Sequence, residues 1–202
     1  MNKGKLFALV VAMGVLVSVS TGCAQTKTDT NTNAPGNATK APIKQEQGET
    51  TKETVFDFYN KVSIGQAKAK VNAELGVKGT ESTMLKNSFT YVDQNTSFGV
   101  SVLFNDKNKA TAKTLIYPAN EALAFLTFAP VTQAQADQIK AGMTYDAVKA
   151  LLGGEGTEIN QTQIPFKDNK ISFIRIWVNA DGSKIQSVFG TDGLSDNAMF
   201  FK

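Results

Sequence analysis

Apolar positions along this chain change period several times, and each change marks an element. Val55, Phe56, Phe58, Tyr59 and Val62 recur at helical spacing and predict a helix over 52–62, followed by a second over 66–75 that stops at Gly76. A third helix is expected over 132–139. A fourth starts at a capping Thr144, carries Asp146 in its first turn and closes at Gly153-Gly154. After each helix pair the period drops to two. Strands are expected near 82–85, 88–92, 98–104 and 110–117 in the first half, and near 157–160, 162–166, 170–178 and 184–190 in the second. Asn105-Asp106-Lys107-Asn108 and Asn179-Ala180-Asp181-Gly182-Ser183 read as hairpin turns. The apolar run Ala122 to Phe128 between the halves fits a short helix or an edge strand.

The two halves repeat one phrase. Gly65, Val71, Ala73, Leu75, Gly76, Gly79, Thr80 and Glu81 recur, without a gap, as Gly142, Val148, Ala150, Leu152, Gly153, Gly156, Thr157 and Glu158. Each copy has the order glycine, amphipathic helix, Leu-Gly stop, glycine, extended segment. The expected fold is therefore α+β: a tandem repeat of two helix-loop-helix plus antiparallel-strand units, forming one curved sheet with helices on one face.

The beginning of the chain has a different logic. Lys3 and Lys5 precede an apolar run from Leu6 to Val17, and Ser20-Thr21-Gly22 leads to Cys23. That is a secretory signal pattern, too short to span a bilayer, with a lipobox-like ending that makes Cys23 the expected acylation (palmitate) site. Ser20 stands where a larger aliphatic residue is commoner. Residues 24 to 49 are rich in Thr, Asn, Gln, Lys and Gly, a composition that cannot bury a core and reads as a tether. The expected organisation is 1–22 signal peptide, 23–50 lipidated cysteine and tether, 51–118 first unit and 119–202 second unit. The expected location is the extracytoplasmic side of a bacterial cell membrane, held by the lipid.

Composition removes several kinds of chemistry. The chain has one cysteine and no histidine, so with Cys23 acylated the mature domain has no disulfide, no imidazole and no thiol. No phosphate-loop or nucleophile-elbow pattern occurs. The expectation is no enzyme, no cofactor and no metal. Removing Lys3 and Lys5 lowers the formal charge from +3 to +1, which leaves no footprint for nucleic acid. Glu81 and Glu158 are a repeated carboxylate pair best read as structural parts of a repeated junction. The 179–183 turn lacks the later Glu of an EF-hand, and 191–197 reads as a solvated loop.

One strand suggests a binding surface. Aligning Phe104-Asn105 with Val178-Asn179 puts Val100, Val102 and Phe104 over Ile174, Ile176 and Val178 as the shared core face. Phe173, Arg175 and Trp177 would then point away from the helices, and Trp and Arg are typical interface anchors. Trp177 is accordingly either a contact residue or buried beneath the 123–128 segment or a nearby loop.

With two helix–helix–sheet units and the phrase Ile139-Lys140-Ala141-Gly142-Met143-Thr144-Tyr145-Asp146-Ala147-Val148 leading to Leu151-Leu152-Gly153, the chain resembles the beta-lactamase-inhibitory-protein-like lipoproteins. More distantly it is similar to the single-unit SmpA/OmlA envelope lipoproteins. The resemblance implies an open concave sheet face that binds a protein, with a first-unit hairpin carrying an Asp beside a Tyr into the partner. The corresponding residues are Tyr91 and Asp93. The domain lacks that inhibitor's disulfides, and its hairpin matches in residue type only. The expected function is that of a non-enzymatic, lipid-anchored envelope protein with a protein partner bound through Tyr91, Asp93, Phe173, Arg175 and Trp177. The alternatives are an inhibitor of a secreted hydrolase such as a beta-lactamase, an envelope-assembly scaffold, and a binder of small ligands or cell-wall fragments.

Overall fold

A computed structural model describes residues 52–127 and 129–202. The signal peptide, Cys23, the tether and the first residue of the first unit lie outside the described residues. The order of elements is α1 (Lys52–Lys61), α2 (Lys68–Leu75), β1 (Thr80–Glu81), β2 (Ser88–Val92), β3 (Gly99–Phe104), β4 (Ala110–Ile116), a 3-10 segment (Asn120–Leu126), α3 (Gln133–Ala136), α4 (Tyr145–Leu152), β5 (Thr157–Ile164), β6 (Lys170–Val178), β7 (Lys184–Phe189) and β8 (Ser195–Phe201), with a 3-10 turn at Pro165–Lys167. All eight strands form one antiparallel sheet in sequence order. The fold is α+β, as the change of period implies.

Local chemistry sets the helix ends. Both α2 and α4 stop at a glycine in the left-handed region, Gly76 at φ 65° and Gly153 at φ 74°, whose N–H donates back to the Asn72 and Lys149 carbonyls. Thr144 caps α4 through its hydroxyl and Asp146 sits in the first turn; Ala67, at the same place before α2, offers no side-chain cap. α3 is a single turn, held by a reciprocal capping box between Thr132 and Gln135. Within the run between the halves, Asn120–Leu126 is the 3-10 segment, with Leu123 and Leu126 buried.

The strands show how the two units correspond. Thr80 pairs with Thr90 and Glu81 with Phe89; Thr157 pairs with Ile176 and Glu158 with Arg175. Tyr91 then pairs with Val100, and Trp177 with Ile185. A register shift falls at Leu103/Phe104 and again at Val188/Phe189, opposite Ala110 and Ser195. The Gly65 N–H donates to Ala110 O at 2.7 Å, and the Gly142 N–H to Ser195 O at 2.8 Å. So β1 to β4 correspond to β5 to β8, strand for strand.

This correspondence corrects three expectations. Residues 82–85 are a turn, in which the Ser82 hydroxyl takes the N–H groups of Met84 and Leu85. Residues 195–201, the start of which reads as loop, are the eighth strand. The segments expected at 157–160 and 162–166 are one strand with a register shift between Glu158 and Asn160.

Following the register gives the two faces. Phe89, Val102, Lys113, Gln161, Phe173 and Phe189 form one row, and Tyr91, Val100 and Leu115 another beside it. Helices lie over this face. Tyr91 reaches α2 and Lys113 reaches α1 by hydrogen bonds, while Trp177 packs in a cluster with Val148 and Leu152 of α4. The opposite face carries the row Thr90, Ser101, Thr114, Asn160, Ile174, Val188 and Asn197.

Candidate binding surface

Tyr91 and Trp177 are both fully buried on the helix face. The Tyr91 hydroxyl donates to Asn72 Oδ1 at 2.7 Å, and Trp177 Nε1 donates to the Gly154 carbonyl at 2.7 Å. Each satisfies its polar tip inside the protein, as a buried Tyr or Trp must. Phe173 is half-buried and stacks on Phe189 with centroids 5.0 Å apart. Arg175 lies over the Tyr145 ring, 4.8 Å from its centroid, and donates to the Glu155 and Gly156 carbonyls at 3.2 and 3.3 Å. The expected Phe173-Arg175-Trp177 stripe therefore faces the helices rather than away from them, with Trp177 in the core, and Tyr91 is buried beside α2. The cause is a strand mismatch: β6 corresponds to β2, whereas setting Phe104 over Val178 matches it with β3 and exchanges its faces. The burial of Trp177 comes from the second helix pair and from the loop after α4, where Gly154 and Gly156 meet the indole, rather than from Leu123 and Leu126.

Asp93 sits at the β2–β3 hairpin, two residues beyond Tyr91. Its carboxylate accepts from the Asn95 N–H at 2.9 Å and the Thr96 hydroxyl at 3.1 Å, which locks the turn and leaves Gln94 and Asn95 exposed at its tip. At the matching β6–β7 turn, Asp181 accepts from the Ser183 N–H and hydroxyl, which holds its carboxyl below the usual carboxylate range. Asn179 there binds both Val131 and Ser183. Neither turn gathers metal ligands: among the described residues no group of three acidic, His or Cys side chains could hold an ion.

Between the two helix pairs the helix face holds a polar cluster. Tyr59 donates to Glu158 Oε1 at 3.0 Å, and Lys113 Nζ donates to the carbonyls of Tyr59 and Val62 at 3.2 and 2.9 Å while lying 4.0 Å from the Tyr59 ring centroid. Burial, and then the Glu158 charge, push the Tyr59 hydroxyl well above its ordinary range; burial lowers Lys113, with Glu158 opposing. These groups satisfy one another and tie α1 to β4 and β5. Glu81, the repeat partner of Glu158, instead accepts from the Asn87 N–H. Both repeated carboxylates are structural, for different local reasons.

The face without helices has another character. Ser88 and Ser101 hydroxyls lie 3.4 Å apart, Asn160 donates to Thr114 at 2.8 Å and Thr162 to Asn160 at 3.1 Å. Around this polar centre lie Leu103, Ile116, Ile174 and Val188, all half-buried, and Met199, 44% exposed. At one end the 3-10 segment covers it: Thr127 bridges Val178, and Lys184 donates to Asn120 and faces the Tyr117 and Phe201 rings. Reading the sequence missed this surface because its side chains are small and unremarkable one at a time. The signal that could have found it is the repeated Thr80-Glu81 and Thr157-Glu158 start, which fixes the strand correspondence.

A family model described as Beta-lactamase inhibitor (BLIP) matches residues 55–177, more than half of the chain. The chain belongs to that family. Among curated proteins, none matches it.

Proposed function

We propose that this chain is a non-enzymatic, lipid-anchored protein of the bacterial envelope, on the extracytoplasmic side, that binds another protein across the helix-free face of its sheet. The observation that carries the reading is the row Thr90, Ser101, Thr114, Asn160, Ile174 and Val188, which runs through both units on the face the helices leave open. Mixed small polar and aliphatic side chains on hydrogen-bonded strands make a rigid surface with little entropy to lose on binding. Family membership supports a protein as the ligand.

Contacts on such a face are spread over many side chains, because no Trp, Tyr or Arg lies in the row. The test is binding to envelope proteins by the full chain, its Val188→Arg variant and its Leu103→Arg variant. Both substitutions should abolish capture while leaving the melting temperature within a few degrees. Capture that survives both removes this reading.

Inhibition of a secreted beta-lactamase is a second reading, supported by the family match and by the rigid β2–β3 hairpin with Gln94 and Asn95 at its tip. It requires that purified beta-lactamase lose activity on titration with the chain and recover it with an Asn95→Arg variant. No inhibition across a panel of such enzymes rules it out.

A further inference from the structure

β8 is an edge strand. One flank pairs with β7; the other, among the described residues, makes backbone hydrogen bonds only to the loop before α4, where Ser195 exchanges them with Gly142 and Met143. The first unit contains the same edge, on β4, with Ala110 held in the same way by Gly65 and Gln66. Just beyond that covered residue, Ala112, Lys113 and Thr114 pair with β5. Because Val102 pairs with Lys113 as Ser187 pairs with Ala198, the matching part of β8 is Asn197, Ala198 and Met199. That stretch is open, with Asn197 and Met199 exposed. An edge of seven residues without proline or lysine inside it is a template for another strand.

We propose that β8 pairs antiparallel with β8 of a second copy of this chain, across a two-fold axis passing through Met199. An axis there sets Asn197 against Phe201 of the second copy, Ala198 against Phe200 and Met199 against itself, and brings Asp196, the residue skipped at the register shift, beside Lys202. Asp196 and Lys202 are both exposed and make no ion pair among the described residues. The symmetric arrangement forms that pair twice and covers the exposed Met199. Moving the axis by one residue in either direction loses both charge pairs.

Head-to-tail growth, with β8 meeting β1 of another copy, is the other arrangement that the internal β4–β5 pairing suggests. It is blocked locally. The residues of β5 that pair with β4 correspond to 83–85 in the first unit, and those are folded into the Ser82 turn after β1 ends at Glu81. The symmetric arrangement closes as a dimer, and it lays the two helix-free faces side by side.

Thiol trapping tests the register directly. In the full chain carrying Cys23→Ala, Met199→Cys supplies the sole thiol, and directly opposed strand positions bring two such groups within disulfide reach. On mild oxidation this variant should convert to dimer at least ten-fold faster than Met84→Cys, whose site is 75% exposed in the β1–β2 turn. Asn197→Cys should resist coupling alone and couple when mixed with Phe201→Cys. As a check without thiols, Met199→Lys and Met199→Glu should each sediment as monomers in detergent and as a dimer when combined. The proposal is overturned if position 199 couples no faster than position 84, if the charge variants behave alike singly and mixed, or if the thiol at 199 traps a different polypeptide in crude extract.

Discussion

Tyr91 and Trp177 occupy the same place in the two units, each with its ring against the glycine that precedes the unit's first strand. A Cβ added at Gly79 would lie 2.6 Å from the Tyr91 ring, and one added at Gly156 would lie 2.6 Å from the Trp177 indole. A large aromatic can close each unit only because its neighbour has no side chain. Gly79→Ala and Gly156→Ala should each destabilise by about 1–3 kcal/mol through overpacking. The loss should be larger at Gly156, where φ is +65° and the Ile176 carbonyl is also close. Denaturant midpoints for the two variants check this.

Trp177→Ala should cost about 3–5 kcal/mol, the range for emptying a buried aromatic site. Trp177→Phe should retain much of the packing but lose the hydrogen bond to the Gly154 carbonyl, at about 1–3 kcal/mol. The measurement is unfolding free energy at constant m-value. A Trp177→Ala variant as stable as the parent would contradict the burial described above.

Leu75 and Leu152 are the last helical residues before matching glycine stops and are both buried, 5% and 1% exposed. Leu→Ala at either should destabilise by about 2–5 kcal/mol. Similar losses at the two positions are expected from their equivalent settings, and urea titration of the pair reads the difference.

Alkaline pH should expose the polar cluster between the helix pairs. The unfolded chain gives up the Tyr59 proton near pH 10.0 while the folded state keeps it, so stability present below that pH is lost above it. Each such tyrosine contributes a slope of about 1.4 kcal/mol per pH unit. Lys113 acts in the opposite sense. Its folded value lies below 10.5, so stability rises with pH up to that point and no further. A fall should therefore be clear above pH 10.5, and Tyr59→Phe should fall less steeply than the parent in the same titration.

If Cys23 carries the lipid, Cys23→Ala should leave the membrane fraction or remain unprocessed, since two or more acyl chains hold a protein firmly and none leaves only the polypeptide's own affinity. Fractionation and gel mobility of the variant beside the parent decide it. Identical behaviour would remove the anchor.

The helices, their glycine stops and the repeat were legible because they rest on local signals, the apolar period and a left-handed turn that favours glycine. Strand faces were not. At the end of β6, Ile176, Trp177 and Val178 are all completely buried, so alternation there carries no information about which side faces the helices. The β5–β6 hairpin also has longer arms than the β1–β2 hairpin, since Glu158 pairs with Arg175 where Glu81 pairs with Phe89, and this hides the match of β2 with β6 from an ungapped comparison. β8 was hidden by its polar opening, Ser195-Asp196-Asn197, whose apolar partners come only afterwards. The helix-free surface depends on all three and could be assembled only once register was known.

Those three residues of β6 also join the two halves. Ile176 and Val178 belong to the core that contains Val100, Leu115 and Leu126, while Trp177 between them belongs to the core that contains Val148, Leu152 and Phe189. Neither half can melt without stripping one side of the same strand, so heating should give a single calorimetric peak rather than two. For the same reason the amides of Ile176 to Val178 should exchange with solvent only through global opening, making them the slowest in the molecule.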